Sequence, residues 1–132
     1  MAELGWLTRA LADVPRHDGW LSEREREILS TLRVAKRRAD WRLGRWAAKA
    51  ALAAWQGVPV AELEVLPAAD GAPEALAGGA PIPVGLSLSH RGGRALAAVG
   101  SASARLGCDL EAIEVRTPAF VREWLRPAER QL

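Results

Sequence analysis

The stretch KRRADWRLGRWAAKAALAAWQ, which spans residues 36–56, decides how this chain folds. Alanine is its most frequent residue, and alanine favours helix and lets neighbouring elements approach closely. Gly57-Val58-Pro59 follows at once, and a glycine followed by a proline is typical of a helix C-terminus. The stretch therefore predicts one long helix from about Lys36 to Gln56.

Two strips of side chains run along this predicted helix. The first consists of cations at intervals of four, three and four residues: Arg38, Arg42, Arg45 and Lys49. The second is largely apolar and lies about 80° further round the helix: Trp41, Ala48, Leu52 and Trp55. The helix is expected to pack through its tryptophan strip while the cations border a groove. A solvated helix face and an anion site, for phosphate or nucleic acid, are both open interpretations of the cationic strip.

A second helix is predicted just before this one. Ser22 stands three residues before Glu25, which is the spacing of a capping box, where each side chain bonds the other residue's backbone N–H. We expect this helix to continue to about Val34. Proline and glycine interrupt the pattern of residues 1–20, for which no element is predicted.

Short strands are predicted in the second half of the chain. Residues 61–66 alternate weakly between apolar and polar, whereas residues 67–85 repeat glycine and proline and are predicted to form a loop. Three strands follow, at Gly85–His90, Ala95–Gly100 and Leu106–Glu111. The turn at residues 91–94 suits a hairpin between the first two strands, and a short helix is predicted from near Pro118. Helices, then antiparallel strands, then a helix predict an α+β fold rather than a parallel, doubly wound sheet.

The composition excludes several classes of protein. With 132 residues, 49% hydrophobic and 26% charged, the chain is globular, and a formal charge of +2 excludes a histone-like or acidic-tail protein. The single cysteine, Cys108, excludes an internal disulfide, and the 2 histidines do not suffice for a His-rich metal site. No apolar run reaches the ~18 residues of a membrane span, so a cytoplasmic protein without membrane contact is expected.

One predicted strand, Leu86-Ser87-Leu88-Ser89-His90, alternates apolar and polar residues, as a half-buried strand does. Ser89 and His90 end this strand at a glycine-rich turn, where a histidine beside a serine can donate to a phosphate oxygen. A Ser–His hydrolase site fits poorly, because neighbouring residues on a strand point to opposite faces. A surface histidine near a turn is the open alternative.

The segment Leu106-Gly107-Cys108-Asp109-Leu110-Glu111 carries the most informative pair of side chains. On a strand, Asp109 and Glu111 face the same side, whereas Cys108 and Leu110 face the core. Two carboxylates so close repel each other unless a positive charge lies between them. Mg²⁺ binds such a pair together with substrate phosphates and water, so the segment points to a metal site, with a solvated strand edge as the alternative.

These segments, in this order, resemble the 4′-phosphopantetheinyl transferases, specifically their large pseudo-dimeric (surfactin-type) branch. The resemblance runs from about Leu21 to Leu132. It rests on the helix start Leu21–Glu25, the Gly-Arg helix at residues 37–49, the loop Gly71-Ala72-Pro73, the strand Ser87–His90 and the strand Gly107–Glu111. It implies an α+β lobe in which an antiparallel sheet packs with helices.

The resemblance implies that the 4′-phosphopantetheine arm of coenzyme A is transferred to a serine of an acyl or peptidyl carrier protein. The other product would be adenosine 3′,5′-bisphosphate. Asp109 and Glu111 would be catalytic, because they would hold Mg²⁺, or Mn²⁺, against the coenzyme A pyrophosphate and neutralise the charge that builds on the leaving phosphate.

Further residues are implied in coenzyme A binding. Ser89 and His90 would contact its phosphates, and Gly71 and Pro73 would shape the adenine side of the pocket. Some of the arginines would also take phosphate: Arg38, Arg42 and Arg45.

The chain departs from the family pattern in two places. Ala72 stands where the family usually has a basic residue, so one phosphate or adenine contact is expected to be missing. The family also needs a Trp-x-x-Lys-Glu helix after the acidic strand, whose glutamate supplies a third metal ligand. Trp46-Ala47-Ala48-Lys49-Ala50 echoes that motif, but it precedes the acidic strand and has alanine in place of the glutamate.

The chain is therefore expected to be a first lobe, residues 1–105, followed by the beginning of a second lobe, residues 106–132. A longer enzyme, or a second lobe on a separate chain, would complete the site. The alternative function is a non-catalytic module of the same fold that binds coenzyme A or another nucleotide. A nucleic-acid binder that uses the cationic strip is disfavoured, because the net charge is small.

Overall fold

The structure, a computed structural model, describes residues 4–101 of the chain. Its helices are α1 (Glu23–Thr31) and α2 (Ala35–Gln56), and short 3-10 helices lie at Leu11–Asp13 and Val60–Glu62. Its strands are β1 (Leu4–Ala10), β2 (Leu63–Pro67), β3 (Pro73–Ala77), β4 (Ala80–Pro81), β5 (Val84–Arg91) and β6 (Arg94–Ser101). Antiparallel sheets packed with helices confirm the predicted α+β class. None of these described helices is long and apolar enough to cross a membrane.

Two antiparallel sheets pack with α2. The first has the strand order β1-β6-β5 and the second the order β2-β3-β4. Helix α2 contacts β6, β1 and β5 of the first sheet and β2 of the second. Its small buried residues Ala47 and Ala51 lie in one core cluster with Leu7, Ala97 and Val99. The alanine-rich sequence is thus what allows both sheets to approach the helix closely.

The predicted start of α1 and the predicted end of α2 are confirmed. The amide of Glu25 donates to Ser22 Oγ over 3.1 Å, and the amide of Ser22 donates to Glu25 Oε1 over 2.8 Å, so the capping box closes the start of α1. This helix ends at Thr31, three residues earlier than predicted. Helix α2 ends at Gly57, whose φ of 71° is the left-handed conformation that glycine adopts without strain.

The hairpin between β5 and β6 is also confirmed. Gly92 and Gly93 occupy its turn with φ values of 57° and 78°. Two positive φ values at the central positions match the right-handed twist of the flanking strands. The hairpin makes β5 an edge strand, beside which the candidate site lies.

Two predictions about irregular regions are wrong. Residues 4–10, for which no element was predicted, form β1, which pairs with β6 from Leu4 opposite Gly100 to Ala10 opposite Arg94. The predicted loop at residues 67–85 contains β3 and β4, which pair with each other across a Gly78-Gly79 turn. In both places the partner strand supplies the hydrogen bonds, which the local sequence pattern does not reveal.

Several predictions lie outside the described residues. These are the strand Leu106–Glu111, the helix near Pro118, the environment of Cys108 and the boundary between residues 105 and 106.

Candidate anion-binding site

A cavity of about 320 Å³ lies between α2, the β2–β3 connection and β5. We call it the Arg45 hollow. Its lining includes Arg45 from α2, Gly71 from the β2–β3 connection, Pro73 from β3, and Ser87 and Leu88 from β5. The structure thus brings together three predicted site residues, Arg45, Gly71 and Pro73, that are separated by up to 28 positions in the chain.

Arg45 is the side chain that gives this hollow its chemistry. Its guanidinium carbon lies 4.7 Å from the centre of the Trp41 ring, which is a cation–π contact. Its Nε is buried, and no hydrogen-bond acceptor contacts it within the part of the chain that the structure describes. Burial lowers the pKa of Arg45 from its usual value, and the carboxylate of Glu25 partly opposes the shift. A desolvated cation with an unused donor is well suited to binding an anion.

A second cavity, of about 360 Å³, lies at the other side of Trp41. We call it the His90 hollow, and Arg37, Asp40, Trp41 and His90 line it together with Leu32. Trp41 lines this cavity and stacks on Arg45 of the first, so the two hollows are neighbours along α2. Each hollow has an arginine in its lining, Arg45 in the first and Arg37 in the second, and the second also has the carboxylate of Asp40.

Arg37 is a site candidate that the sequence analysis missed. It is exposed and lines the same cavity as His90. The only signal was the run Lys36-Arg37-Arg38, from which the helical spacing selected Arg38 because it continues the strip with Arg42 and Arg45. The tertiary fold instead places Arg37 near His90, a residue 53 positions away in the chain.

Ser89 and His90 lie on opposite faces of the first sheet. His90 lies opposite Ala95 in the β5–β6 ladder, and Ser89 lies opposite Leu96. Neighbouring positions of a strand face opposite sides of the sheet. His90 therefore shares the α2 side with Leu88, as its place in the His90 hollow also shows, whereas Ser89 lies on the other side.

Arg38 and Arg42 are engaged in bonds within the fold. Arg38 donates through Nη1 to the carbonyls of Leu29 and Leu32, over 2.8 and 3.0 Å, and thereby ties the end of α1 to α2. Arg42 bonds Asp18 Oδ1 over 3.0 Å through Nε, and donates to two further carbonyls of the segment that precedes α1: Pro15 and His17. Both guanidinium groups thus stabilise the structure around the helices.

The prediction that Lys49 belongs to a strip of cations at a groove is wrong. Lys49 is fully buried, and its Nζ donates to Glu25 Oε1 over 2.7 Å and to the Trp20 carbonyl over 2.6 Å. The other carboxylate oxygen of Glu25 accepts from the backbone N–H of Val65 over 2.8 Å. The carboxylate of the α1 capping box reaches across to α2 and β2, and this pairing draws the lysine into the core.

The predicted metal ligands Asp109 and Glu111 lie outside residues 4–101, so the structure does not describe their positions. Within residues 4–101 no three side chains of the types His, Cys, Asp and Glu come together as a metal site would require. Strand β1 carries no carboxylate.

The comparisons with known proteins agree with one another. Residues 24–100 match the family model described as 4′-phosphopantetheinyl transferase N-terminal domain. No curated protein matches the chain at the sequence level. Among solved structures, a holo-(acyl-carrier-protein) synthase from Bacillus anthracis str. Ames, in complex with CoA (3′,5′-ADP), is similar with a TM-score of 0.62 and 24% identity. The similarity covers 75% of this chain and 94% of that one.

A second solved structure gives the same result. The holo-[acyl-carrier-protein] synthase from Neisseria meningitidis is similar with a TM-score of 0.61 and 19% identity, over 75% of this chain and 96% of that one. At such identities the likeness shows a common fold. About three quarters of the present chain is therefore enough to span nearly the whole of a synthase chain of this fold.

Proposed function

Because the chain belongs to the family of 4′-phosphopantetheinyl transferase N-terminal domains, we propose that it acts in transfer of phosphopantetheine from coenzyme A. The acceptor is a serine of an acyl or peptidyl carrier protein. The serine oxygen forms a bond to the phosphorus that carries the pantetheine arm, and the pyrophosphate P–O bond breaks. Adenosine 3′,5′-bisphosphate leaves, and the serine proton passes to a base or to water.

The unused donor of Arg45 is the observation that carries this proposal. Arg45 lines a hollow whose other lining residues, Gly71 and Pro73 among them, carry no charge, and its buried Nε has no hydrogen-bond partner among the described residues. A phosphate placed in this hollow receives a charge-assisted hydrogen bond from the Arg45 guanidinium. The energetic cost of leaving this donor buried without a partner is thereby removed when the ligand binds.

The His90 hollow also fits coenzyme A as the ligand. Coenzyme A carries a pyrophosphate and a separate 3′-phosphate on either side of its adenosine, so it needs two anion sites a short distance apart. Arg45 supplies a cation to one hollow, while Arg37 and His90 supply donors to the other. Trp41 lies between them and offers an aromatic surface. In this assignment Arg38 and Arg42 hold the fold around the site rather than the ligand.

We further propose that the chain belongs to the large, pseudo-dimeric branch, with a first lobe at residues 1–105 and a second lobe that begins at residue 106. Strand β1, at the start of the first lobe, carries no carboxylate. The acidic pair of this chain, Asp109 and Glu111, instead follows the first lobe, which supports this assignment. The coverage of nearly whole synthase chains by three quarters of this chain also supports it. A cytoplasmic location goes with the proposal and with the single cysteine of the chain.

Asp109 and Glu111 are proposed to hold Mg²⁺, or Mn²⁺, since two carboxylates together with substrate phosphates are what a hard divalent cation binds. When bound, the metal neutralises charge on the pyrophosphate. The described residues contribute separately: Arg45 and Arg37 bind and orient the phosphates. Holding the two reacting groups in place removes much of the entropic cost of bringing them together.

The test of this function is the intact mass of an apo acyl carrier protein after incubation with the chain, coenzyme A and Mg²⁺. We expect a mass gain of one phosphopantetheine, which Asp109→Ala abolishes. Coenzyme A binding is measured on the same samples by calorimetry. If wild type binds coenzyme A but adds no mass to the carrier, the described lobe binds the substrate without completing a catalytic site.

Binding of coenzyme A without transfer would correspond to the alternative function, a non-catalytic binding module. One observation favours this alternative. The helix segment that echoes the catalytic motif has Ala50 where a glutamate is needed, and its Lys49 is buried against Glu25. Lys49 is fully buried and so does not reach a substrate, and Ala50 has no functional group that could act on one. Chemistry therefore has to come from residues beyond 101 or from a second chain.

A further inference from the structure

The short connection between α1 and α2 forms an exposed patch of unusual composition. We call it the junction patch and define it by four residues: Arg33, Val34, Lys36 and Arg37. Val34 is 58% exposed, and it and Leu11 are the two large hydrophobic residues of the described chain that lie open to solvent. An apolar side chain among three exposed cations is the composition of a binding surface for an anionic, partly apolar partner.

The cations of this patch do not stabilise the fold. They lie at the N-terminus of α2, where the helix dipole disfavours positive charge. Val34 is the N-cap and provides no side-chain cap, and no acidic residue lies in the first turn. Of the basic residues at positions 33–38, Arg38 bonds the carbonyls of α1, and Lys36 pairs with Asp40 over 3.0 Å in an exposed salt bridge. Exposed pairs of this kind contribute little to stability.

The patch is continuous with the candidate site. Arg37 belongs to the junction patch and also lines the His90 hollow, together with Asp40 and Trp41. A partner that covers Val34 would therefore lie beside the His90 hollow, whose Trp41 also contacts Arg45. Arg38 holds the end of α1 against α2 beneath the patch, so the surface is presented by a fixed backbone.

We propose that the junction patch is the docking surface for the carrier protein, and that it binds an acidic, partly apolar face of that partner. This rests on the proposed function, which supplies the identity of the partner. Opposite charge on the two surfaces speeds and orients their encounter, and Val34 adds apolar contact at the centre of the patch. The patch then places the acceptor serine beside the bound coenzyme A.

The test measures binding of a fluorescently labelled apo acyl carrier protein by anisotropy, at low and at high salt. The variant Arg33→Glu/Val34→Ser changes only patch residues outside both hollows. We expect its affinity for the carrier to be about tenfold weaker at low salt, with a smaller salt dependence than wild type. Coenzyme A binding, measured by calorimetry on the same protein, is expected to stay within about twofold of wild type.

The matched control is Arg16→Glu, which reverses one exposed cation before α1, outside the patch. It should leave carrier affinity unchanged. Equal carrier affinity in wild type, the patch variant and the control would overturn the proposal, as would a wild type that binds no carrier. So would a wild type that binds a DNA duplex through Arg33 in place of the carrier. A wild type that binds carrier but no coenzyme A would instead overturn the proposed function and leave the docking surface supported.

Discussion

Arg45 and Lys49 lie one turn apart on α2, about 40° from each other around the helix axis, yet their environments are opposite. Lys49 is fully buried, and its ammonium bonds Glu25 and the Trp20 carbonyl. Arg45 is partly buried, and its Nε has no acceptor among the described residues. The comparison teaches that equal charge and near-equal position on a helix do not decide whether a cation serves the fold or a ligand.

The difference comes from what each cation meets. Glu25 reaches Lys49 because the α1 capping box places this carboxylate at the junction of α1, α2 and β2, where it also accepts from the Val65 amide. Arg45 meets instead the Trp41 ring and the open walls of its hollow. The ammonium of Lys49 is bonded within the fold, whereas the Nε of Arg45 has no partner among the described residues.

The largest effect is expected from Lys49→Ala. Removing the lysine leaves the Glu25 carboxylate buried without its partner, and breaking a buried pair in this way costs about 3–5 kcal/mol. The free energy of unfolding from urea denaturation measures this loss. The double variant Glu25→Leu/Lys49→Met removes both charges and should recover part of the stability. A single variant as stable as wild type would show that the pair does not hold the fold.

Arg45→Ala should weaken coenzyme A binding and leave the stability of the fold nearly unchanged. We expect coenzyme A affinity to fall by about 10- to 100-fold, the value of a hydrogen bond from a charged donor, while stability changes little because the unpartnered donor is removed as well. Calorimetry and urea denaturation measure the two quantities. Arg42→Ala is the matched control: it breaks the bonds to Asp18 and the Pro15 carbonyl and should lower stability more than affinity. If Arg42→Ala weakened binding as much as Arg45→Ala, the assignment of these two arginines would be wrong.

Ser22→Ala tests how the cap supports the buried pair. The substitution removes the oxygen that accepts from the Glu25 amide, and loss of such a cap costs about 1 kcal/mol. Thermal unfolding followed by circular dichroism measures the change. Coenzyme A affinity should remain at the wild-type value, because the Arg45 hollow has no wall from α1. Ser30→Ala, at an exposed position near the other end of the helix, is the control.

The smallest effect is expected from the pair of Arg24, which is exposed, and Glu64, which is partly buried. The hydrogen bond from Arg24 holds the pKa of Glu64 below its usual value, although burial opposes this. A lowered carboxyl pKa stabilises the fold above the pKa of the unfolded chain, and this stabilisation is lost as the pH falls through the lowered value. The melting temperature of Glu64→Gln should therefore lie below wild type at neutral pH and meet it in acid. A constant difference across the acid range would contradict this.

Local signals in the sequence were enough to predict a large part of the fold. The Ser22–Glu25 spacing predicted the start of α1, and Gly57 predicted the end of α2, because both act within one helical turn. The paired glycines at residues 92–93 predicted the hairpin. Strand β1 was missed because its hydrogen-bond partner, β6, lies at the other end of the described chain.

The sequence by itself thus determined where α1 begins, where α2 ends, where the hairpin turns and which residues carry charge. It also determined Arg45, Gly71, Pro73 and His90 as site candidates, of which the first three share a hollow. Only the tertiary structure decided which cation is buried, which binds backbone carbonyls and which keeps a donor without a partner among the described residues. The physical reason is that a charge is satisfied by whatever lies within a few ångströms, and those neighbours come from segments far apart in the chain.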